Sequence, residues 1–185
     1  MVSEGQFWKG QRRFVQLAFH DDVIGAMTTV INIGYTRCLV DEAMRLYPPG
    51  WLMMRKALND DTLGDYFVPA ETEIYISPYL IQRHPAFWEN PDRFDPDRFQ
   101  PNEPRDRQIL AMLPFSVGPR KCIGEFFARI EMQFHLMTIA KQLRLRSVGG
   151  NRLEIDAGVN LRKKYDFIMT PEVKAGSLSA QADGR

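Results

Sequence analysis

One of the chain's two cysteines lies in a segment whose residue types can support chemistry. Cys122 follows a turn that contains Gly118 and comes just before a helix predicted to begin near Gly124. The backbone N–H groups at the start of a helix favour a thiolate over a thiol, and so do the adjacent Arg120 and Lys121. A single thiolate suits the axial position of haem iron, because the macrocycle supplies the other ligands. A free cysteine considered alone is more often buried and inert, so the surrounding residues must decide.

The segment around Cys122 resembles the haem loop of the cytochrome P450 family, which has the form Phe-x-x-Gly-x-Arg-x-Cys-x-Gly. The chain has all five fixed residues of this pattern: Phe115, Gly118, Arg120, Cys122 and Gly124. The resemblance implies that Cys122 is the axial ligand of the iron of haem b and that Arg120 holds a propionate. Gly118 permits a tight turn, and Gly124 leaves room for a flat group to approach the helix.

An upstream motif, Glu42-x-x-Arg45 followed by Leu-Tyr-Pro-Pro, resembles the Glu-x-x-Arg helix of the same family. Glu42 and Arg45 lie three residues apart on a predicted helix and therefore share a face. The segment 94–99 resembles the family loop whose arginine, here Arg98, completes a charge cluster with that pair. We assign these three residues a structural role, holding the cysteine loop in place, and not a catalytic one.

Two further segments resemble propionate-binding parts of the family. Trp8 and Arg12 match its Trp-x-x-x-Arg helix, in which the indole N–H and the guanidinium bind haem propionates, and their spacing puts both donors on one face. Arg55 matches in position a family arginine that also reaches a propionate, but an exposed strand charge explains it equally well. Residues 52–54 would then border the substrate side of the haem, although core packing also accounts for them.

One part of the family pattern is missing between these segments. A long series of helices separates the Trp-x-x-x-Arg helix from the Glu-x-x-Arg helix in the family, whereas here about two dozen residues separate Arg12 from the second helix near Thr36. The Ala/Gly-Gly-x-x-Thr signature of the distal oxygen-activating helix is not found in the sequence. The resemblance therefore implies two family segments joined across an internal deletion.

The resemblance implies a haem-thiolate monooxygenase that inserts one oxygen atom from O2 into a small apolar substrate, with electrons from a ferredoxin or a flavoprotein. Two alternatives stay open: a haem-binding protein without monooxygenase activity, and an inactive, internally deleted fragment. Four basic residues form either a docking patch for the electron donor or an ordinary solvated helix face: Lys121, Arg129, Lys141 and Arg144.

The composition excludes several other classes of protein. The 24 Lys and Arg residues balance 23 Asp and Glu residues, and this net charge of +1 gives no argument for a nucleic-acid partner. No apolar run reaches the roughly 18 residues that a membrane span needs, and the N-terminus does not resemble a secretory signal, so a cytoplasmic location is expected. Two cysteines also exclude a disulfide framework and a multi-cysteine zinc site.

The elements that must position these residues follow from hydrophobic periodicity and turn residues. The expected fold is mainly α with a small β portion, a truncated cytochrome P450-like fold. We predict an N-terminal helical segment over 1–34, a haem-binding core over 35–173 and a disordered tail over 174–185.

Within that core, helical periodicity and breakers predict a first helix over 36–46, ended by prolines. Strands and turns are predicted over 51–76, with a strand at its end, and a long proline-rich loop over 85–119. A strong helix is predicted over 124–145, and a closing hairpin over 153–169.

Overall fold

The structure, a computed structural model, describes residues 34–101, 110–149 and 153–174. The predicted N-terminal segment, with Trp8 and Arg12, and the predicted tail beyond Lys174 lie outside these ranges. The described residues form two compact units. The first unit comprises residues 34–40, 115–149, 153 and 165–174, and the second comprises residues 41–101, 110–114 and 154–164.

The helices of the described ranges confirm both long helices predicted from the sequence. In chain order they are α1 (Gly34–Leu46), α2 (Pro78–Ile81) and α3 (Glu125–Gln142), with 3-10 turns at Pro96–Phe99 and Gly118–Arg120. α1 ends where Pro48 and Pro49 follow, since proline lacks the N–H that would continue the helix. α2 begins at a proline, and the Ser77 hydroxyl caps it by accepting the Leu80 N–H.

The strands of the described ranges pair in antiparallel twos. The pairs are β1 (Met53–Lys56) with β4 (Glu73–Ile76), β2 (Asp61–Leu63) with β3 (Tyr66–Val68), β5 (Leu143–Ser147) with β8 (Met169–Val173), and β6 (Ile155–Ala157) with β7 (Leu161–Lys163).

Two predicted boundaries at the end of the chain are wrong for the same reason. The helix predicted to reach residue 145 stops at Gln142, because Leu143 pairs with Val173 and opens strand β5. The predicted closing hairpin does form as β6 and β7, but Met169 pairs with Ser147 instead of joining it. Pairing with a strand that lies far along the chain overrides the local helical periodicity.

The predicted class, mainly α, does not describe these ranges well. α-Helices and β-strands hold similar numbers of the described residues, and loops connect them over long stretches such as 84–95. The described residues are therefore a mixture of helix and strand. Within these ranges, no helix is long and apolar enough to cross a membrane.

The core of the second unit contains polar as well as apolar side chains. Its buried apolar residues include Met44, Leu46, Trp88, Ala111 and Leu113, and its buried polar residues are Asp41, Glu42, Arg45 and Gln82. A buried ion needs a partner and hydrogen bonds, so these polar residues must form a specific network. In the first unit, Cys38, Val40 and Ile130 are buried.

Candidate haem-binding site

The cysteine loop, residues 115–124, lies in the first unit and leads directly into α3. The Cys122 N–H donates to the Phe115 carbonyl oxygen at 2.9 Å and closes the loop. Inside it, the Lys121 N–H donates to the Gly118 carbonyl oxygen at 3.0 Å across the 3-10 turn. These two backbone hydrogen bonds fold the loop back on itself and place Cys122 just before the helix.

The backbone of this loop is left-handed at two positions. Ser116 has φ 65° and Gly118 has φ 74°. Glycine adopts this region freely, whereas a residue with a Cβ is strained there. A Cβ on Gly118 would meet no atom within 4 Å, so glycine is favoured at this position by its conformation and not by packing.

The Cys122 thiol is free and exposed, unlike the buried Cys38. A Cβ built on Gly124 would lie 4.0 Å from the Cys122 Sγ, so a larger side chain at this position would begin to cover the sulfur. An accessible sulfur beside a bare glycine fits an axial thiolate ligand of a flat macrocycle, which needs one protein ligand and an open face. The residues of the loop therefore fit haem.

Glu125, the first residue of α3, is a carboxylate that follows the cysteine loop and that the sequence analysis did not consider. It forms ion pairs with Lys121 Nζ at 2.5 Å and with Arg129 Nε at 3.0 Å. Partial burial alone raises the pKa of Glu125, but hydrogen bonds and charge attraction from Lys121 and Arg129 outweigh it and lower that pKa. The positive charge of Lys121, which was expected to favour the Cys122 thiolate, is thus largely neutralised.

Glu42 and Arg45 form a fully buried pair on α1. Arg45 Nε donates to Glu42 Oε2 at 2.6 Å, and Arg45 Nη2 donates to Glu42 Oε1 at 2.8 Å. Neither side chain is exposed. Two parallel hydrogen bonds between a guanidinium and a carboxylate fix both groups in one geometry.

The loop that follows α2 closes around this pair. Arg45 donates to the carbonyl oxygens of Pro91 at 2.7 Å and Arg93 at 3.2 Å, and the Asp95 N–H donates to Glu42 Oε1 at 2.8 Å. Arg98 Nε lies 3.6 Å from the same Glu42 oxygen. The structure thus brings Glu42, Arg45 and Arg98 together, and the cluster fastens residues 91–98 to α1.

Arg55 lies on β1 opposite Ile74 and is half-buried. Its Nη1 donates to the neighbouring Met54 carbonyl oxygen at 2.9 Å. Leu52 and Met54 are exposed, so they do not pack in a core.

The four predicted basic docking residues have different surroundings. Lys121 and Arg129 are both paired with Glu125, and the Arg129 guanidinium also lies 5.3 Å from the centre of the Phe115 ring. Lys141 is exposed in the last turn of α3. Arg144 lies on β5 opposite Glu172, so it is not on the helix, because the helix ends earlier than the sequence suggests.

A family profile matches most of the chain. The profile described as Cytochrome P450 matches residues 21–169, which include the Glu42–Arg45 pair and the cysteine loop. The chain belongs to the cytochrome P450 family.

This chain is similar to other P450 proteins both in sequence and in fold. Cyclooctatin synthase of Streptomyces melanosporofaciens is 35% identical over 154 residues, which are 80% of this chain and 34% of the relative. Cyclooctat-9-en-7-ol 5-monooxygenase of the same organism is 38% identical over 122 residues, 66% of this chain and 27% of the relative. The structure also resembles the crystal structure of the cytochrome P450DA heme domain, with a TM-score of 0.74 and 28% identity over 80% of this chain and 33% of that one. The chain thus spans about a third of the length of the first of these P450 relatives.

Two residues that support the Glu42–Arg45 pair in this P450 chain escape a motif search. The Trp88 ring stacks against the Arg45 guanidinium, 5.0 Å from ring centre to Cζ. The Gln82 carbonyl oxygen accepts a hydrogen bond from Arg45 Nη1 at 2.7 Å. Nothing in the sequence around Gln82 marks it as buried, since its neighbour is an arginine and glutamine is mostly a surface residue. For Glu125, the spacing of four residues from both Lys121 and Arg129 was an available signal.

Proposed function

We propose that this chain binds haem b with Cys122 as the axial ligand and supports P450-type monooxygenation. The substrate is a small apolar molecule, the oxygen comes from O2, and a ferredoxin or flavoprotein supplies the electrons. The observation that carries the proposal is the accessible Cys122 sulfur beside Gly124, in a loop closed onto Phe115. One relative, cyclooctat-9-en-7-ol 5-monooxygenase, supports the oxygenation chemistry by its name.

The loop residues have distinct parts in holding the haem. Cys122 is the ligand, Gly118 allows the left-handed turn before it, and Gly124 keeps the sulfur open. Phe115 accepts the Cys122 N–H and so fixes the ligand backbone relative to α3. A haem bound through a thiolate supplies the electron donation that favours cleavage of the O–O bond.

Propionate binding is assigned to guanidinium and indole donors. Arg120 and Arg55 each carry a planar fork of N–H groups that matches a carboxylate. Trp8 and Arg12, which lie outside the described residues, complete the proposed set. The Glu42–Arg45–Arg98 cluster has no part in the chemistry and instead holds the second unit's loop in position.

The test is the reduced, CO-bound absorption spectrum of the full chain reconstituted with haem. Cys122→Ser is compared with Cys38→Ser, which changes the chain's other cysteine, buried on α1. A strongly red-shifted Soret band is expected in the unchanged chain and in Cys38→Ser, and its loss in Cys122→Ser. A Soret band that is the same in all three proteins would refute ligation by Cys122.

Product formation separates the two candidate activities. The chain is supplied with an apolar terpenoid or fatty acid, O2 and a ferredoxin system, and the products are analysed by mass spectrometry. Gain of one oxygen atom by the substrate would establish monooxygenation. A thiolate-type spectrum without any product would favour the second candidate, a haem-binding protein, which the missing distal signature motivates.

A further inference from the structure

Gln82 uses every polar atom of its side chain inside the core of the second unit. Its side chain is fully buried. Nε2 donates to the carbonyl oxygens of Met44 at 3.1 Å and Arg45 at 2.9 Å, while Oε1 accepts the Leu113 N–H at 2.7 Å. The two carbonyls and the single N–H fix which end of the amide is oxygen and which is nitrogen.

The first two of these bonds cap a helix. Met44 and Arg45 lie in the last turn of α1, where carbonyl oxygens have no partner within the helix. Arg83, the next residue, donates from Nη1 to the carbonyl of Leu46 and extends the cap. A buried carbonyl left without a donor is strongly unfavourable, so α1 depends on this pair of side chains.

The third bond reaches the chain just before the cysteine loop. Leu113 is buried, and its N–H needs an acceptor there. Pro114 follows, and then Phe115, whose carbonyl oxygen accepts the Cys122 N–H. The same glutamine therefore joins the end of α1, where Arg45 lies, to the point at which the main chain enters the cysteine loop.

We propose that Gln82 is a positioning residue that anchors the Leu113 backbone and thereby limits the conformations open to Phe115 and Cys122. Glutamine is suited to this position because it offers two donors and an acceptor in one uncharged group. Methionine fills a similar volume but leaves three buried groups unpaired. Glutamate keeps an oxygen that accepts the Leu113 N–H, but its second oxygen replaces the donor Nε2 and repels the carbonyl oxygens of Met44 and Arg45.

The first experiment measures amide hydrogen exchange at Leu113 in the full chain without haem, so it does not depend on the proposed function. The variants are Gln82→Met and Gln82→Glu, with Gln100→Met as the control, since the Gln100 side chain is exposed and its amide Nε2 donates to Asp97 Oδ1. Gln82→Met is expected to speed exchange at Leu113 by about tenfold more than at the amides of α3, whereas Gln82→Glu and Gln100→Met are not.

A rise in exchange that is equal at Leu113 and in α3 would show a merely structural role and overturn the proposal. If Gln82→Met does not fold, the exchange rates at Leu113 in Gln82→Glu and in the unchanged chain still test the proposal. An unprotected Leu113 amide in the unchanged chain would overturn the proposal, and so would selective loss of its protection in Gln82→Glu.

The second measurement rests on the proposed function and uses the haem-reconstituted chain. The fraction of haem with the red-shifted, CO-bound Soret band is expected to fall in Gln82→Met and to stay unchanged in Gln100→Met. An unchanged fraction in Gln82→Met would overturn positioning of Cys122 by Gln82. Absence of the band from the unchanged chain would instead refute the proposed function, while exchange at Leu113 would still test the anchor.

Discussion

At the scale of single residues, Glu125 is the carboxylate that pairs with two cations, Lys121 and Arg129. It lies at the start of α3 and holds Lys121 from the cysteine loop and Arg129 from the next turn of the helix. Arg129 in turn lies over the Phe115 ring at the other end of the loop. One carboxylate therefore ties both ends of the cysteine loop to the first turns of α3, and it also complements the positive end of the helix dipole.

Glu125→Gln is expected to make the chain less stable near neutral pH and to reduce the acid sensitivity of its unfolding. The folded-state pKa of Glu125 lies below its ordinary value, so its stabilising effect is complete above that ordinary value. The effect is lost as the pH falls through the lowered folded-state value. Urea unfolding of both proteins between about pH 7 and about pH 3 measures the difference.

The difference in unfolding free energy between the two proteins should shrink as the pH falls. Glu131→Gln removes an exposed carboxylate from the same helix and controls for the loss of one negative charge. A difference that stays constant over the whole range would show that the ion pairs of Glu125 do not stabilise the fold.

Local sequence patterns were sufficient to pick out some of the candidate site residues. The spacing of Glu42 and Arg45 and the pattern around Cys122 are local, and a local pattern can be read from the sequence. Gln82 and Trp88 reach Arg45 only because a loop folds back onto α1, and no local spacing encodes that approach. The expectation that Lys121 favours the Cys122 thiolate leaves out Glu125, because the sequence does not show which carboxylate a lysine side chain pairs with.

At the scale of elements, α1 and the loop after α2 are joined by a buried ion pair. Arg45 makes five hydrogen bonds, to both oxygens of Glu42 and to the carbonyls of Gln82, Pro91 and Arg93. The three backbone carbonyls belong to residues 82–93, a stretch with little regular structure, in which no helix or strand ladder supplies hydrogen-bond donors. Arg45 therefore supplies the contacts that a strand or helix would otherwise give this loop.

Arg45→Met is expected to destabilise the chain by about 3–5 kcal/mol, because Glu42 would remain buried without its partner. Arg146→Met is the matched control, since it breaks the exposed pair with Glu172 and should change stability by less than about 1 kcal/mol. Urea unfolding gives both values. Adding Glu42→Gln to Arg45→Met should recover part of the loss, and a loss no larger than that of Arg146→Met would contradict the buried-pair argument.

The ends of elements show where sequence reasoning fails at this scale. The prolines after α1 are a local stop signal, and the predicted and observed ends agree at residue 46. No comparable signal lies near residue 142, where α3 gives way to β5. The change is caused by β8, which lies more than twenty residues further along the chain and is itself highly exposed.

At the scale of the whole molecule, few of the apolar side chains in the described ranges are buried. On α3 only Ile130 is buried among the described residues, and five of its large apolar side chains are exposed: Phe126, Phe127, Phe134, Leu136 and Ile139. Hydrophobic stabilisation scales with the apolar area removed from water, so this fold obtains little of it from α3. A ligand that binds the folded chain would then account for a large share of its stability.

Haem is therefore expected to raise the melting temperature of the chain, provided that the proposed function is correct. Haem at about 100 times its dissociation constant contributes about 2.7 kcal/mol, which corresponds to roughly 5–10 °C for a chain of this size. Thermal unfolding followed by circular dichroism, with and without haem, measures the shift. Cys38→Ser should retain it and Cys122→Ser should lose most of it, because the ligand is what distinguishes the two variants. Equal shifts in both variants would place the stabilising contacts away from Cys122.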